Sequence, residues 1–201
     1  MPPVAVSLSD QKNALREDLA RRLEAVSPAQ AARAAEACAE RFLALPAVAS
    51  ARRLLVCLSF GTEISTVPAI ARLQAADRQL YVPRADPRDG QIHVHPYPCE
   101  LVELGFGLRQ PPRGAPEVPS SEIDSTLDAA LVLGLGFDEG GYRLGHGRGY
   151  FDRFLAGRRL PAIGFAYELQ VVPRLPREPH DVPMAALVTE ASSRHIRSRG
   201  V

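Results

Sequence analysis

Apolar positions along the chain recur at two spacings, and the alternation between them predicts the order of elements. Leu15, Leu19 and Leu23 fall every four residues, which lays an apolar stripe along one face of a helix, with Ser7 or Ser9 placed to cap it. A second helix is predicted over 28–45. Ser27-Pro28-Ala29-Gln30 opens it, with serine at the cap, proline in the first turn and glutamine at the capping-box position, and Pro46 stops it. The run 53–59 is apolar but too short for a helix and reads as a strand. A helix over 66–76, capped by Thr66, then returns to a strand over 79–83, giving a parallel pair with a right-handed crossover. A turn at 86–90 leads into a strand over 91–97, and the proline-rich stretch 111–119 is a surface connection. Residues 129–135 are apolar without alternation, as in a strand buried on both faces. A helix over 148–156, a strand over 162–166 and a short strand over 185–188 follow, and the polar tail 190–201 is expected to fray. The pattern predicts one α/β domain over 1–201, with three αβα layers around a mainly parallel central sheet.

Composition narrows the class. With 201 residues, 46% of them hydrophobic, the chain can bury one substantial core, and a net charge of +1 gives no argument for nucleic acid. Cys38, Cys57 and Cys99 are odd in number and far apart, which fits a reducing compartment and argues against a disulfide framework or a zinc site. No apolar run approaches the roughly 20 residues of a membrane span, and the first residues lack the features of a signal peptide. The expectation is a cytoplasmic protein, monomeric or weakly dimeric, with neither nucleic acid nor membrane as partner.

Chemistry concentrates after the innermost strand, in LVLGLGFDEGGYRLGHGRGYFDRF. Gly145, Gly147 and Gly149 alternate with His146 and Arg148, so successive backbone N–H groups can turn inward around an anion. Arg143 and Arg148 add permanent cations, and a helix starting near Arg148 would aim its positive end at the same place. Asp152, just beyond, is the kind of hard oxygen ligand that Mg²⁺ on a nucleotide needs. The loop matches neither the Walker pattern nor the dinucleotide fingerprint, and many glycine-rich turns bind nothing, so both readings stay open at this level.

Other positions carry weaker signals. Of the 24 Lys and Arg residues only Lys12 is lysine, and it shares a helix face with Arg16, either to reach a common anion or as a solvated basic face. Glu63 follows the end of a strand, where ligands of α/β proteins bind, but is equally an exposed loop residue. His93 and His95 alternate along one strand without a third ligand, which argues against a metal. Phe106 is either a core residue or a ring for a ligand. His180-Asp181 is a loop turn or part of a hydrolase triad, but no Gly-x-Ser-x-Gly elbow supplies a nucleophile.

The run GFDEGGYRLGHGRGYFDRFL resembles the signature of the 5-formyltetrahydrofolate cyclo-ligase family, Gly-Phe-Asp followed by Arg-Leu-Gly-x-Gly-x-Gly-Tyr-Tyr-Asp-Arg. Phe151 stands where tyrosine is usual, Arg148 where many members have lysine, and Gln110 where an acidic residue is frequent. Lys12-Asn13-Ala14-Leu15-Arg16 is similar to the family's N-terminal Lys-x-x-x-Arg, and Ser59, Glu63, Ile64 and Thr66 match its strand-end pattern. The resemblance implies ATP- and Mg²⁺-dependent conversion of 5-formyltetrahydrofolate to 5,10-methenyltetrahydrofolate. It implies Lys12, Arg16, Arg143, Leu144, Gly145, His146, Gly147, Arg148, Gly149, Tyr150 and Phe151 at ATP. It also implies Leu58, Glu63 and residues 146–150 at the folate, Asp152 and Asp181 at Mg²⁺, and Arg148, Lys12 and Glu63 in catalysis. A non-catalytic nucleotide- or folate-binding protein of the same fold is the alternative. An enzyme acting on sugar phosphates rests only on the general link between α/β folds and phosphate.

Overall fold

A computed structural model describes residues 7–196 of the chain. The first helix, α1 (Leu8–Glu24), is capped by Ser7, whose hydroxyl accepts from the Asp10 amide at 3.1 Å, and it buries Leu19 and Leu23 from the expected stripe. The next, α2 (Pro28–Ala44), carries the expected capping box, with Ser27 and Gln30 bonding to each other's backbone, and the one-turn α3 (Pro46–Ala49) follows.

Strand β1 (Arg53–Val56) ends sooner than expected, because the chain turns away to fasten Ser59 against Thr66 ahead of α4 (Val67–Ala75). The Ser59 amide donates to the Thr66 hydroxyl at 3.2 Å and the Thr66 amide to the Ser59 hydroxyl at 3.1 Å. Thr66 therefore makes no capping bond to α4, contrary to the sequence expectation, since its hydroxyl is already engaged. Strand β2 (Gln79–Asp86) runs past Pro83, where the sequence placed its end. Its pairing with β1 stops at Tyr81, so the missing proline N–H faces no neighbour. It turns back antiparallel as β3 (Gln91–Tyr97).

A two-residue ribbon, β4 (Val102–Glu103) with β5 (Arg109–Gln110), precedes the one-turn α5 (Ile123–Thr126) and β6 (Ala129–Val132). The apolar run continues to residue 135, but the chain leaves the sheet after Val132. It forms instead a hairpin of β7 (Gly136–Asp138) and β8 (Arg143–Leu144) where only a loop was expected. The helix expected over 148–156 is the shorter α6 (Tyr150–Leu155), which leads to β9 (Ala162–Phe165). Strand β10 (Val171–Val172) joins the hairpin alongside β7, and β11 (Ala186–Val188) is followed by β12 (Ser193–His195). The tail is thus not frayed from residue 190: β12 pairs antiparallel with β11, and residues 197–201 lie outside the described part.

The large sheet has the order β12-β11-β9-β6-β1-β2-β3, parallel throughout its interior and antiparallel only at its two edges. Alternation along its strands sends Leu54, Val56, Leu131, Ile163 and Val188 to the face covered by α2 and α4. Leu55, Ala130, Val132 and Leu187 go to the other face, against Ile123, Leu127, Phe154 and Leu155. The architecture is the mixed α/β one with a mainly parallel central sheet that the sequence predicted. No described helix is long and apolar enough to cross a membrane.

Candidate functional site

The parallel strands β1 and β6 end side by side, and the segments leaving them form the floor of a cavity of about 810 Å³. This is the position at which open α/β sheets bind ligands. Its lining includes every site residue proposed from the sequence: Lys12, Arg16, Leu58, Glu63, 143–152 and Asp181. Chain positions from α1 to the segment before β11 thus meet in one place.

One half of the cavity is ionic. Lys12 Nζ lies 2.7 Å from Glu178 Oε2 and 3.1 Å from Asp181 Oδ2, and Asp181 Oδ2 also accepts from the Glu178 amide at 2.8 Å. Burial works to lower the Lys12 pKa, but the bonds and charges of Glu178 and Asp181 outweigh it and raise the value, so the ammonium is firmly cationic. Four residues on, Arg16 Nε donates to the Gly145 carbonyl at 2.9 Å. Its guanidinium packs over Gly147, 3.4 Å from where a Cβ would sit, and it is the backbone of Gly147, at φ +95°, that calls for glycine.

Arg143 is buried, and Nη2 reaches Asp152 Oδ2 at 3.2 Å while the guanidinium carbon stands 4.9 Å from the centroid of the Phe151 ring. Burial pulls its pKa below the usual guanidinium range against the opposing pull of Asp152, yet an arginine remains charged there. Its Nε is buried without a partner. The tight seating depends on Gly134, where a Cβ would come within 2.7 Å of Arg143 Cγ. Phe151 presents its ring face to this cation, a role that needs no tyrosine hydroxyl. Arg148, by contrast, is exposed at the lip.

The dipole of α6 contributes little to the loop, because the helix has six residues and starts at Tyr150 after a left-handed Gly149. The charge at the cavity comes from side chains. Asp152 and Asp181 also suit a divalent cation by the chemistry of their oxygens. Asp152 Oδ1 accepts only from the Val182 amide at 3.3 Å, and Asp181 Oδ1 faces His180 Nε2 at 3.8 Å, so each keeps a hard oxygen without an Arg or Lys partner. The ligand atoms of Glu178, His180 and Asp181 all lie within 4.8 Å of one another.

The other half is apolar and comes from the segment after β1 and from β2 and β3, on the far side of β6 in the sheet order: Leu58, Phe60, Pro83, Ala85 and Ile92. Glu63 is its carboxylate, nearly buried, accepting from the Phe60 amide at 3.1 Å and facing His146 Nε2 at 3.9 Å. The rings of Phe60 and His146 lie 5.6 Å apart at 31°. Cys57 in the wall is inert, since burial pushes its thiol up to about 12.

Sequence reasoning did not assign Glu178 or Phe60. The sequence separation of 166 residues between Glu178 and Lys12 hides their pairing, whereas Phe60 beside Glu63 was a local signal. Two of the remaining sequence candidates separate from the site: His93 bonds Asp89 at 2.9 Å and Glu117 at 2.8 Å, and His95 is buried with Nδ1 on the Pro116 carbonyl at 2.8 Å. Phe106 is not a core residue, being 94% exposed, and it lines the cavity.

Comparison with known proteins gives a consistent result. The sequence profile of the 5-formyltetrahydrofolate cyclo-ligase family matches residues 8–190. The 5-formyltetrahydrofolate cyclo-ligase of Escherichia coli strain K12 is 34% identical over 176 residues, covering 84% of this chain and 94% of that protein. The Mus musculus protein of the same name is 24% identical over 200 residues, covering 94% and 98%. Among solved structures, the NMR structure of Aquifex aeolicus 5,10-methenyltetrahydrofolate synthetase matches with a TM-score of 0.77 at 27% identity, covering 94% of this chain and 95% of that one.

Proposed function

Since this chain belongs to the 5-formyltetrahydrofolate cyclo-ligase family of enzymes, we propose that it uses ATP and Mg²⁺ to convert 5-formyltetrahydrofolate to 5,10-methenyltetrahydrofolate. The formyl group on N5 is amide-like, so its carbon resists attack and its oxygen leaves poorly. Transfer of the ATP γ-phosphoryl to that oxygen breaks the bond to ADP and makes a phosphate ester. N10 then attacks the carbon, loses its proton, and inorganic phosphate departs with the oxygen. Such a transfer depends on alignment and on neutralising charge that spreads over the phosphoryl oxygens.

Lys12, Arg16, Arg143 and Arg148, with the loop amides of 145–149 and the flanking Leu144, Tyr150 and Phe151, hold the triphosphate. In the free chain Lys12 is held by Glu178 and Asp181 and Arg143 by Asp152, so phosphate must compete with internal carboxylates. Asp152 and Asp181 are the residues to hold Mg²⁺, whose contribution when bound is to neutralise phosphate charge. Leu58, Glu63 and the loop from His146 to Tyr150 hold the folate, and Glu63 is the carboxylate on that side available to accept the N10 proton.

The observation that carries this reading is the convergence on one cavity of a cationic half and an apolar half, joined by the glycine loop. Purified protein with 5-formyltetrahydrofolate should give the near-ultraviolet absorbance of the methenyl product only when ATP is present, with matching ADP release. Binding of both compounds without ADP release would select the non-catalytic alternative, and ADP release with sugar phosphates instead would select the third reading. Asp152→Asn should raise the Mg²⁺ concentration needed for half-maximal rate by roughly tenfold or more. An unchanged metal titration would remove Asp152 from the metal site.

A further inference from the structure

We infer that a second cleft, separate from the ligand cavity at the ends of β1 and β6, binds a small anion that carries several closely spaced phosphate or carboxylate groups. The cleft encloses about 900 Å³ and lies among the β7–β8 turn, the chain between α6 and β9, and the segments that flank β11. Ala162 opens β9 and Ala185 immediately precedes β11, so the cleft sits at the N-terminal ends of these parallel strands. The ligand cavity lies at the other end of the sheet, and the two share no lining residue.

Charge selects the occupant. Arg158, Arg159, Arg174, Arg177 and His195 line the cleft, and among the described residues Glu139 is the one acid of the lining, in a chain whose net charge is only +1. Two of these cations are held in place by the fold. Arg158 Nε donates to the Phe154 carbonyl at 2.7 Å and Nη1 meets Asp124 Oδ2 at 3.3 Å, while the Arg177 guanidinium is fixed by Asp138 and by the ring of Tyr142. The other two are uncompensated: among the described residues Arg159 and Arg174 are exposed and make neither a hydrogen bond nor an ion pair. Guanidinium groups gathered in one concavity repel one another. An anion seated between them relieves that repulsion and accepts from their planar donor forks.

The shape of the cleft argues for a small ligand and against a nucleic-acid strand. A strand needs a track of cations with open rings on which its bases stack. Here the cations share one concavity, and the face of Tyr142 is covered by Arg177, 3.8 Å from the ring centroid. Leu160, Pro161, Val182 and Met184 add apolar side chains without a donor or acceptor, so recognition rests on the arginines.

Tripolyphosphate and tricarballylate are the probes, each titrated into the isotope-labelled full chain in about 150 mM potassium chloride, which screens loose attraction. In proton–nitrogen correlation spectra the backbone amides of Arg158, Arg159, Arg174 and Arg177 should shift along a saturating curve, with a Kd below about 1 mM for at least one probe. The tighter probe tells phosphate from carboxylate. Shifts at 145–149 belong to the ligand cavity and follow their own curve, so the two sites are read apart in one titration. Combining Arg159→Gln with Arg174→Gln should weaken the cleft curve at least about tenfold. The thermal midpoint and the response at 145–149 should stay in place, because both side chains are exposed and unpaired among the described residues. Absence of shifts at the four arginines with both probes, shifts that added potassium chloride alone reproduces, or an unchanged curve in the double variant would each overturn the inference.

Discussion

Replacing Arg148 with alanine is expected to lower kcat/KM for ATP-dependent ring closure on the order of 10³-fold while leaving the thermal midpoint where it is. Other cations of the cavity are tied to the fold: Lys12 to Glu178 and Asp181, Arg16 to the Gly145 carbonyl, Arg143 to Asp152. Among the described residues Arg148 has no such partner and is exposed at the lip, so its loss removes no hydrogen bond or ion pair of the fold. Its place between Gly147 and Gly149 gives it reach toward a phosphoryl group held by the loop, and a guanidinium there acts on charge that develops during transfer. Arg148→Lys should recover a large part of the rate, because an ammonium still neutralises phosphate even though it lacks the planar fork. Steady-state kinetics and a thermal melt on the same preparations decide the matter. Wild-type kcat/KM in Arg148→Ala would take the loop cation out of the transfer, and a drop of several degrees in midpoint would make its role structural.

Arg148 was legible because its signal is local. Alternating glycines, two arginines and an aspartate sit within ten residues, and their chemistry follows from their spacing alone. The same is true of α2, whose capping box needs only Ser27, Pro28 and Gln30, and of the parallel core, where short apolar runs between helical stripes leave few other arrangements. What could not be read depends on contacts made across the fold. Thr66 carries every local mark of an N-cap, yet its hydroxyl is taken by Ser59, seven residues back. The run 129–135 reads as one strand, but the chain leaves the sheet after Val132 and enters a hairpin in which Gly134 packs closely against Arg143, a contact that exists only in the folded chain. Polar composition at 190–201 says nothing about an open edge on β11, which β12 fills. In the site the same division holds: the Lys12–Arg16 face was visible, but the carboxylates that hold Lys12 lie 166 and 169 residues away.

Asp138→Ala should be strongly destabilising although Asp138 lies outside the cavity lining, for a reason that the Gly-Phe-Asp of the signature does not itself reveal. The carboxylate is fully buried at the end of β7. Its Oδ1 accepts from the amides of Gly140 at 2.9 Å and Tyr142 at 3.1 Å, which shapes the turn into β8. Its Oδ2 accepts from the Leu175 amide at 2.9 Å and from Arg177 Nε and Nη2 at 3.1 and 2.7 Å. One side chain thus ties the turn that precedes Arg143 to the segment that precedes Glu178 and Asp181, the two walls of the ionic half. The Arg177 guanidinium is held from the other side by the Tyr142 ring, 3.8 Å from its centroid. Truncation leaves three backbone donors and a partly buried cation without their acceptor. Breaking such a buried pair costs about 3–5 kcal/mol, and the lower figure applies because Arg177 keeps some contact with solvent. For a chain of this length that is a fall in thermal midpoint of roughly 10 °C. Well below the midpoint, where the variant is still folded, KM for ATP should rise while KM for the folate changes little, since the loosened segments carry the phosphate side of the cavity. Arg177→Ala should show the same pattern at smaller amplitude, because the three backbone bonds survive. A melt of Asp138→Ala within about 2 °C of wild type, a loss of under about 1 kcal/mol, would contradict this account of how the two walls are joined.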